Sequence, residues 1–467
     1  MAVYSPFIAA NKLGLGLQPG ELGEIGKDPR GWLIGQLPKA SRLPPRYEGL
    51  AHSSQLIEEG GKNYLERRNI LGVKKFTNEV KQKLAAIQAR ESELLRMQAN
   101  HRLAVAIESD TPFTERLVRF WSNHFSISAT SNKPTIHYAG LAYENEAIRA
   151  NMTGSFADML IGVASHPVML FYLDNTNSIG PNSPAGLQRN LGLNENYARE
   201  MLELHTLGVS GGYTQSDVIA LAKMLTGWTV NLSAEYKALP NPSEAAGTFL
   251  YLQYAHEPGT QQLLGRSYSA PDWQQAVAAM RDLALHPSTA TFIAEKLVRH
   301  FISDNPPASA VARLAKRFTE TRGDLPSVHQ ALVEMDETWD PGWQKLKSPE
   351  DYVVSSIRAL PGVPLSDGVL KVLNDSLASF NQMPFTAASP AGWPEQAEHW
   401  GGPDALIKRV EYINMVAGAV GRDFDARDLV AQILPENADL ETAVRRSESK
   451  TQALTLLLAS PQFQWRA

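Results

Sequence analysis

The sequence predicts a mainly α chain, one large irregular multi-helix single unit with a small β-hairpin or β-insert near residues 230–266. Three observations carry that reading. Apolar residues recur at three- and four-residue steps in nearly every segment outside 230–266, which is the period of one helix face. Proline and glycine clusters punctuate those segments. The third observation is the stretch from Asn194 to Gly208, with ENYAREMLELHTL at its centre. Wound as a helix, it places Glu195, Arg199, Glu200, Glu203, Asn196 and Thr206 on one arc and Tyr197, Ala198, Met201, Leu202, Leu204 and His205 on the other.

In order, residues 1–47 hold an apolar entry, the loop Leu17-Gln18-Pro19-Gly20, a short helix near 30–36 and an exit marked by Pro38, Pro44 and Pro45. Residues 61–108 form the longest uninterrupted pattern. There Val73, Phe76, Val80, Leu84, Ile87 and Leu94 step by threes and fours, skipping Glu91, as in an amphipathic helix or a helical hairpin packed on its own domain. Thr111-Pro112 opens the next helix, since proline suits a first turn. That helix carries Leu117, Phe120, Trp121 and His124. Helices at 134–150 and 153–165 lead to a long turn-rich loop over 174–189, of the kind that is often functional. It delivers the chain to the acidic helix, which Gly208 and Gly211-Gly212 end.

Thr214 and Asp217 form a capping-box start for the following helix, and residues 247–254 read as a strand in an insert that carries His256. Helices follow near 271–286, 288–303, 308–322, 325–336, 349–360, 366–379, 403–420, 426–433, 438–446 and 448–459. Between the sixth and seventh, residues 380–402 form a structured loop rich in proline, glycine and tryptophan, suited to one wall of a cleft. Within a unit spanning 1–467 the parts are thus the long helix or hairpin at 61–108, a central helical core at 111–230, the insert at 231–266 and a C-terminal helical part at 267–467.

Composition narrows the function classes. A net charge of −5 gives no general polyanion-binding surface, so nucleic acid is not an expected partner. The absence of cysteine removes disulfides, thiolate metal sites and cysteine nucleophiles. No run approaches the ~18–20 apolar residues of a membrane span, and Met1 to Lys12 lacks the basic start of a secretory signal. The expectation from this text is a cytoplasmic protein. Gly14-x-Gly16 lacks the strand-to-helix context of a dinucleotide site, and neither a phosphate-binding loop nor a His-Glu-x-x-His pair occurs.

What remains is the acidic arc. Glu195, Glu200 and Glu203, with Arg199 among them, are the candidate catalytic residues, as acid–base groups or as oxygen ligands to a divalent metal. Glu203 and His205 project about 200° apart on a regular helix and cannot share a metal. Three carboxylates against one arginine cannot leave water without cations to meet them. If the arc faces an interior cleft, Lys296, Arg299 and His300 on one helix, with His124 and Trp393, are the candidate substrate-binding partners. Lys296 and His300 are four apart and share a face. The simpler arrangement is a solvated ridge of Glu195–Arg199–Glu203 ion pairs. His205 is expected on the buried face, acting structurally and donating a hydrogen bond to nearby backbone.

Several stretches also resemble a bacterial family known as domain of unknown function 1800. They include Ala9-Ala10-Asn11 with Gly14-Leu15-Gly16, Trp121-Ser122-Asn123-His124-Phe125, His166-Pro167 with Tyr172-Leu173-Asp174-Asn175, and the 194–208 stretch running on to Leu225-Thr226-Gly227-Trp228. Later come His256, Lys296-Leu297 with His300-Phe301, Ser389-Pro390-Ala391-Gly392-Trp393-Pro394 and Ser460-Pro461-Gln462-Phe463. Lys12 departs from the pattern, which favours arginine. The resemblance implies one integrated unit from near Ala9 to Phe463. The family's activity is unassigned, so no catalytic residue carries over from it. It also implies relatives with export signals and genes lying beside those of a sulfatase-like family. Two hypotheses follow: an enzyme using the acidic arc, or a non-catalytic helical scaffold that partners such a sulfatase-like protein.

Overall fold

A computed structural model describes residues 5–72, 77–129, 134–189, 192–232, 245–342, 345–421 and 423–466. It is mainly helical, with two small antiparallel sheets. One hydrophobic cluster takes in residues from Ile8 to Phe463, so both ends of the chain pack into the same core.

The N-terminal π-helix Ile8–Leu13 is buried on every side, including Lys12, whose Nζ donates to the Asp340 carbonyl at 3.1 Å. Burial lowers that amine to about 8, with Asp340 opposing. The glycines just beyond it serve packing. The carbonyls of Gly14 and Gly16 accept from Arg116 at 2.6 Å and Arg358 at 2.9 Å, both arginines being buried. Gly16 has φ +104, and a Cβ there would lie 2.6 Å from Ser355 Cβ.

The long 61–108 pattern resolves into a hairpin of helices Ser53–Leu71 and Asn78–Glu108, the second capped by the Thr77 hydroxyl. Val73 and Phe76 lie outside the described residues. Ile87 and Leu94 are buried as their spacing predicts, but so is the skipped Glu91, which faces the first helix and pairs with Arg67 at 2.7 Å. Next comes Pro112–His124, the central helix. It is buried almost all round, so its apolar side chains Phe113, Leu117, Phe120 and Trp121 share the interior with Glu115, Arg116 and Arg119. Those charges are taken up by ion pairs described below.

The β-region forms two ladders rather than one hairpin. Strands β1 (Trp228–Val230) and β2 (Phe249–Tyr251) pair antiparallel, as do β3 (Gln261–Leu263) and β4 (Arg266–Tyr268). The 174–189 loop is anchored rather than open. Glu257, buried, accepts from the backbone and side-chain amides of Asn182 at 2.9 and 2.7 Å, and Asn175 donates to the carbonyls of Leu225 and Trp228. The predicted capping box of Thr214 and Asp217 is present. In the C-terminal part the helices follow the predicted order, and the 380–402 loop lies against the central helix.

Gly16→Ala is expected to lose about 2–4 kcal/mol in denaturant unfolding, because it adds overlap with Ser355 to an unfavourable φ. Gly20→Ala, at φ +96 with nothing within 4 Å, is expected to lose only about 1 kcal/mol. Equal losses for the two would refute the packing role of Gly16.

Candidate functional site

The acidic helix is α-helical only over Asn196–Glu200 and continues as a π turn, Met201–His205. Tyr197, Ala198, Met201, Leu202 and His205 are buried as the spacing predicts, which turns Glu195, Arg199, Glu200 and Glu203 outward to half-exposed positions. Arg199 meets Glu195 at 3.3 Å and Glu203 at 3.8 Å, while Gln215 bridges Arg199 and Glu195 at 2.8 and 2.6 Å. Thr206 departs from the regular-helix expectation. It is fully buried, with its hydroxyl donating to the Met201 carbonyl at 2.7 Å, because the wider π turn rotates the residues that follow it.

The expected interior cleft therefore does not form around this arc. Among the described residues none of its four charged side chains meets Lys296, Arg299, His124 or His300 in a hydrogen bond or ion pair. Once the apolar arc is committed to the core, the opposite arc must face water. Partial burial and the neighbouring Glu203 raise Glu200, with Arg199 opposing. Arg299 pairs instead with Glu295 on its own helix at 2.6 Å.

His205 is 1% exposed, but neither ring nitrogen finds a partner, so the expected donated hydrogen bond is absent. Its carbonyl instead accepts from His124 Nε2 at 3.1 Å. Beside them Trp121 Nε1 donates to His329 Nε2 at 3.1 Å. Burial holds His205 and His329 at about 3, with Lys296 adding to the effect at His205. This trio of neutral imidazoles belongs to the aromatic core.

A pocket opens on the other side of the central helix. Arg102 from Asn78–Glu108 and Arg116, Arg119 and Asn123 from Pro112–His124 form one side. His300 comes from helix Pro287–Phe301, and Glu350 and Asp351 from the first turn of Pro349–Arg358. Trp393 and Glu395 come from the 380–402 loop, and Arg466 from the C-terminal segment. That loop thus supplies the wall its composition suggested. Asn123 fixes it by pairing with the Trp393 backbone in both directions, accepting at 2.7 Å and donating at 3.0 Å. The contact requires Gly392, at φ +81, where a Cβ would lie 2.4 Å from the Asn123 carbonyl.

Within the pocket every guanidinium is held by an acid. Glu350 accepts from Arg102 and from Arg119 at 3.2 Å, and Arg102 also donates to Glu144 at 2.8 Å. Asp351 accepts from Arg116 at 2.8 Å and from Arg466. His300 Nδ1 donates to both oxygens of Glu395, at 2.9 and 2.8 Å. Burial alone would raise the Glu395 carboxyl, but His300, Lys345 and Arg466 outweigh it and hold it at about 2. Burial keeps His300 below the ordinary imidazole value, with Glu395 opposing. Lys296, one turn earlier, is lowered to about 8 by burial and also feels Glu395. His300 thus meets Glu395 directly, while Lys296, four residues earlier on the same helix, feels its charge without an ion-pair contact.

The chain belongs to the DUF1800 family. The model of that family, described as a protein of unknown function, matches residues 8–465. Comparison with curated proteins and with solved structures gives no match. Of the residues that the sequence singled out, His300 and Trp393 line this pocket, and Arg102, Arg116, Arg119, Glu350, Asp351, Glu395 and Arg466 line it without having been singled out. The available signal was the central helix itself, whose charged residues interrupt a face otherwise fit only for a core. Among the described residues no group of three or more histidine, aspartate or glutamate side chains converges in a way that could hold a metal ion. No helix among them is long and apolar enough to cross a membrane.

Two outcomes are expected from these positions. Changing Glu200 and Glu203 together to glutamine should move the melting temperature by no more than about 2 °C, since exposed pairs contribute only about 0–1 kcal/mol. Asp351→Asn should cost about 3–5 kcal/mol by stranding two buried guanidiniums. A larger effect from the first pair would refute the ridge reading.

A third outcome concerns acid. His205 and His329 are neutral when folded and take up protons only once unfolded, so their contribution is fully present above about pH 6.5 and is lost as pH falls toward 3. Each should steepen the loss by up to about 1.4 kcal/mol per pH unit in that window. Denaturant unfolding of wild type and His205→Gln between pH 7 and 4 measures it, and identical pH slopes would refute the assignment.

Proposed function

We propose that the pocket is the active site of an enzyme that binds a small anionic substrate and moves a proton through His300. The observation that carries this is the His300–Glu395 pair. With Nδ1 donating to a carboxylate that stays ionised, the imidazole is held in the tautomer whose Nε2 is unprotonated, and that atom has no protein partner. Such a nitrogen is a general base for water or a substrate hydroxyl, oriented as a carboxylate orients a catalytic histidine elsewhere.

The charges around it favour an anion. The pocket arginines are already fixed in direction by Glu350 and Asp351, so a ligand meets pre-set guanidiniums and orders little on arrival. Lys296 and Lys347 add positive charge with no carboxylate in ion-pair contact among the described residues. Burial lowers Lys347 to about 7, with Asp351 opposing, and its ammonium lies 3.7 Å from the centre of the Phe463 ring. Trp393, Phe385 and Trp400 supply apolar walls that limit water near the pair. Acid–base hydrolysis is the reaction class that fits best, with His300 in the acid–base role that the sequence reading gave to Glu195, Glu200 and Glu203, and Glu395 orienting it.

The test is a panel of chromogenic carboxylic and phosphoric esters assayed with wild type and His300→Gln. Turnover should fall at least about 100-fold in the variant, while calorimetric binding of acetate or phosphate is kept. Wild-type activity should decline on the acid side as His300 becomes protonated. Equal turnover by both proteins, or no anion binding by wild type, would overturn the reading.

A further inference from the structure

The residues lining the pocket contribute two buried polar atoms that meet no protein partner, His300 Nε2 and Arg466 Nε. The two residues are tied to each other, since Arg466 Nη1 donates to the backbone carbonyl of His300 at 2.8 Å. His300 is 8% exposed and Arg466 3%, so neither side chain is well hydrated from bulk solvent. Buried polar atoms in native proteins are almost always matched, and an unmatched pair at a pocket points to what enters it.

The two atoms ask for opposite things. Arg466 Nε carries a hydrogen and needs an acceptor. His300 Nε2 carries none, since the ring proton is on Nδ1 facing Glu395, and needs a donor. A simple carboxylate satisfies only the first. We infer that the ligand is a hydroxy acid, a molecule whose hydroxyl lies beside its carboxylate, with the carboxylate oxygen on Arg466 Nε and the hydroxyl donating to His300 Nε2. This rests on the active-site reading above and names the acid that its substrate carries: when water adds to an ester of the hydroxy acid, Nε2 takes the water proton and returns it to the departing alkoxide, which leaves the free hydroxy acid with its new hydroxyl donating to Nε2. Free hydroxy acids and sugar acids share this chemistry.

A site built to bond a hydroxyl discriminates against the analogue that lacks it, because the buried group is then left unpaired. The experiment is calorimetric titration of the full chain with lactate and propionate, which differ in that hydroxyl, with glucuronate as the cyclic case and inorganic phosphate as the non-carboxylate case. The expected result is lactate or glucuronate binding at least about tenfold tighter than propionate, and a change in the 15N resonance of His300 Nε2 with the hydroxy acid alone. Lactate, glucuronate and propionate binding equally would overturn the inference while leaving the anion site standing, and would assign the two atoms to a bound water. Phosphate binding tighter than every carboxylate would overturn the hydroxy-acid class. Failure of all four to bind would overturn the active-site reading, and this inference with it.

Discussion

Asp351 is the contact on which the rest of the architecture converges. Burial alone would raise its carboxyl, yet Arg116 and Arg466 hold it far below the ordinary range. Arg116 continues to the Gly14 carbonyl at the start of the chain, and Arg466 to the His300 carbonyl. Asp351 also closes the capping box of its own helix with Ser348. One carboxylate thus joins the N-terminal turn, the central helix, the His300 helix and the C-terminal segment. Buried ion pairs add little net stability because desolvation offsets their attraction. Their consequence here is geometric, since any other packing would strand a charge.

The pocket inherits its rigidity from that constraint. Its side chains come from residue 102 at one extreme and residue 466 at the other, so no local segment contains the site. The 380–402 loop has little regular structure, yet it is held at Trp393 by Asn123, and Lys345 donates to the Glu395 carbonyl at 2.7 Å. Glu395 is therefore placed by backbone contacts on both sides of Pro394 before its side chain meets His300. A histidine with a fixed carboxylate behind it follows from the loop's anchoring, not from its flexibility.

The two histidine groups illustrate how environment assigns roles. His124, His205 and His329 lie among phenylalanines and a tryptophan with no carboxylate in contact, and burial keeps them neutral. His300 is also buried, but Glu395 supplies a charge and an acceptor. The same residue type is core filling in one setting and bound to a carboxylate in the other. The acidic arc makes the complementary point, because carboxylates with water and arginine beside them need no ligand to explain them.

Periodicity and punctuation by themselves determined the helical class, the burial of Tyr197, Met201 and His205, the start at Pro112 and the capping box at Thr214, because each depends on residues within a few positions of one another. The shared face of Lys296 and His300 was legible for the same reason. Which carboxylate His300 meets was not, since Glu395 lies some ninety-five residues away in a loop with no period. Likewise an arginine in the sequence reads as exposed until its partner is placed, and Arg116, Arg119 and Arg466 became interior only once Asp351 and Glu350 were brought to them. Local spacing settles which way a side chain leaves its own helix, and only tertiary packing settles which charges end up sharing the low-dielectric interior, where pairing is obligatory.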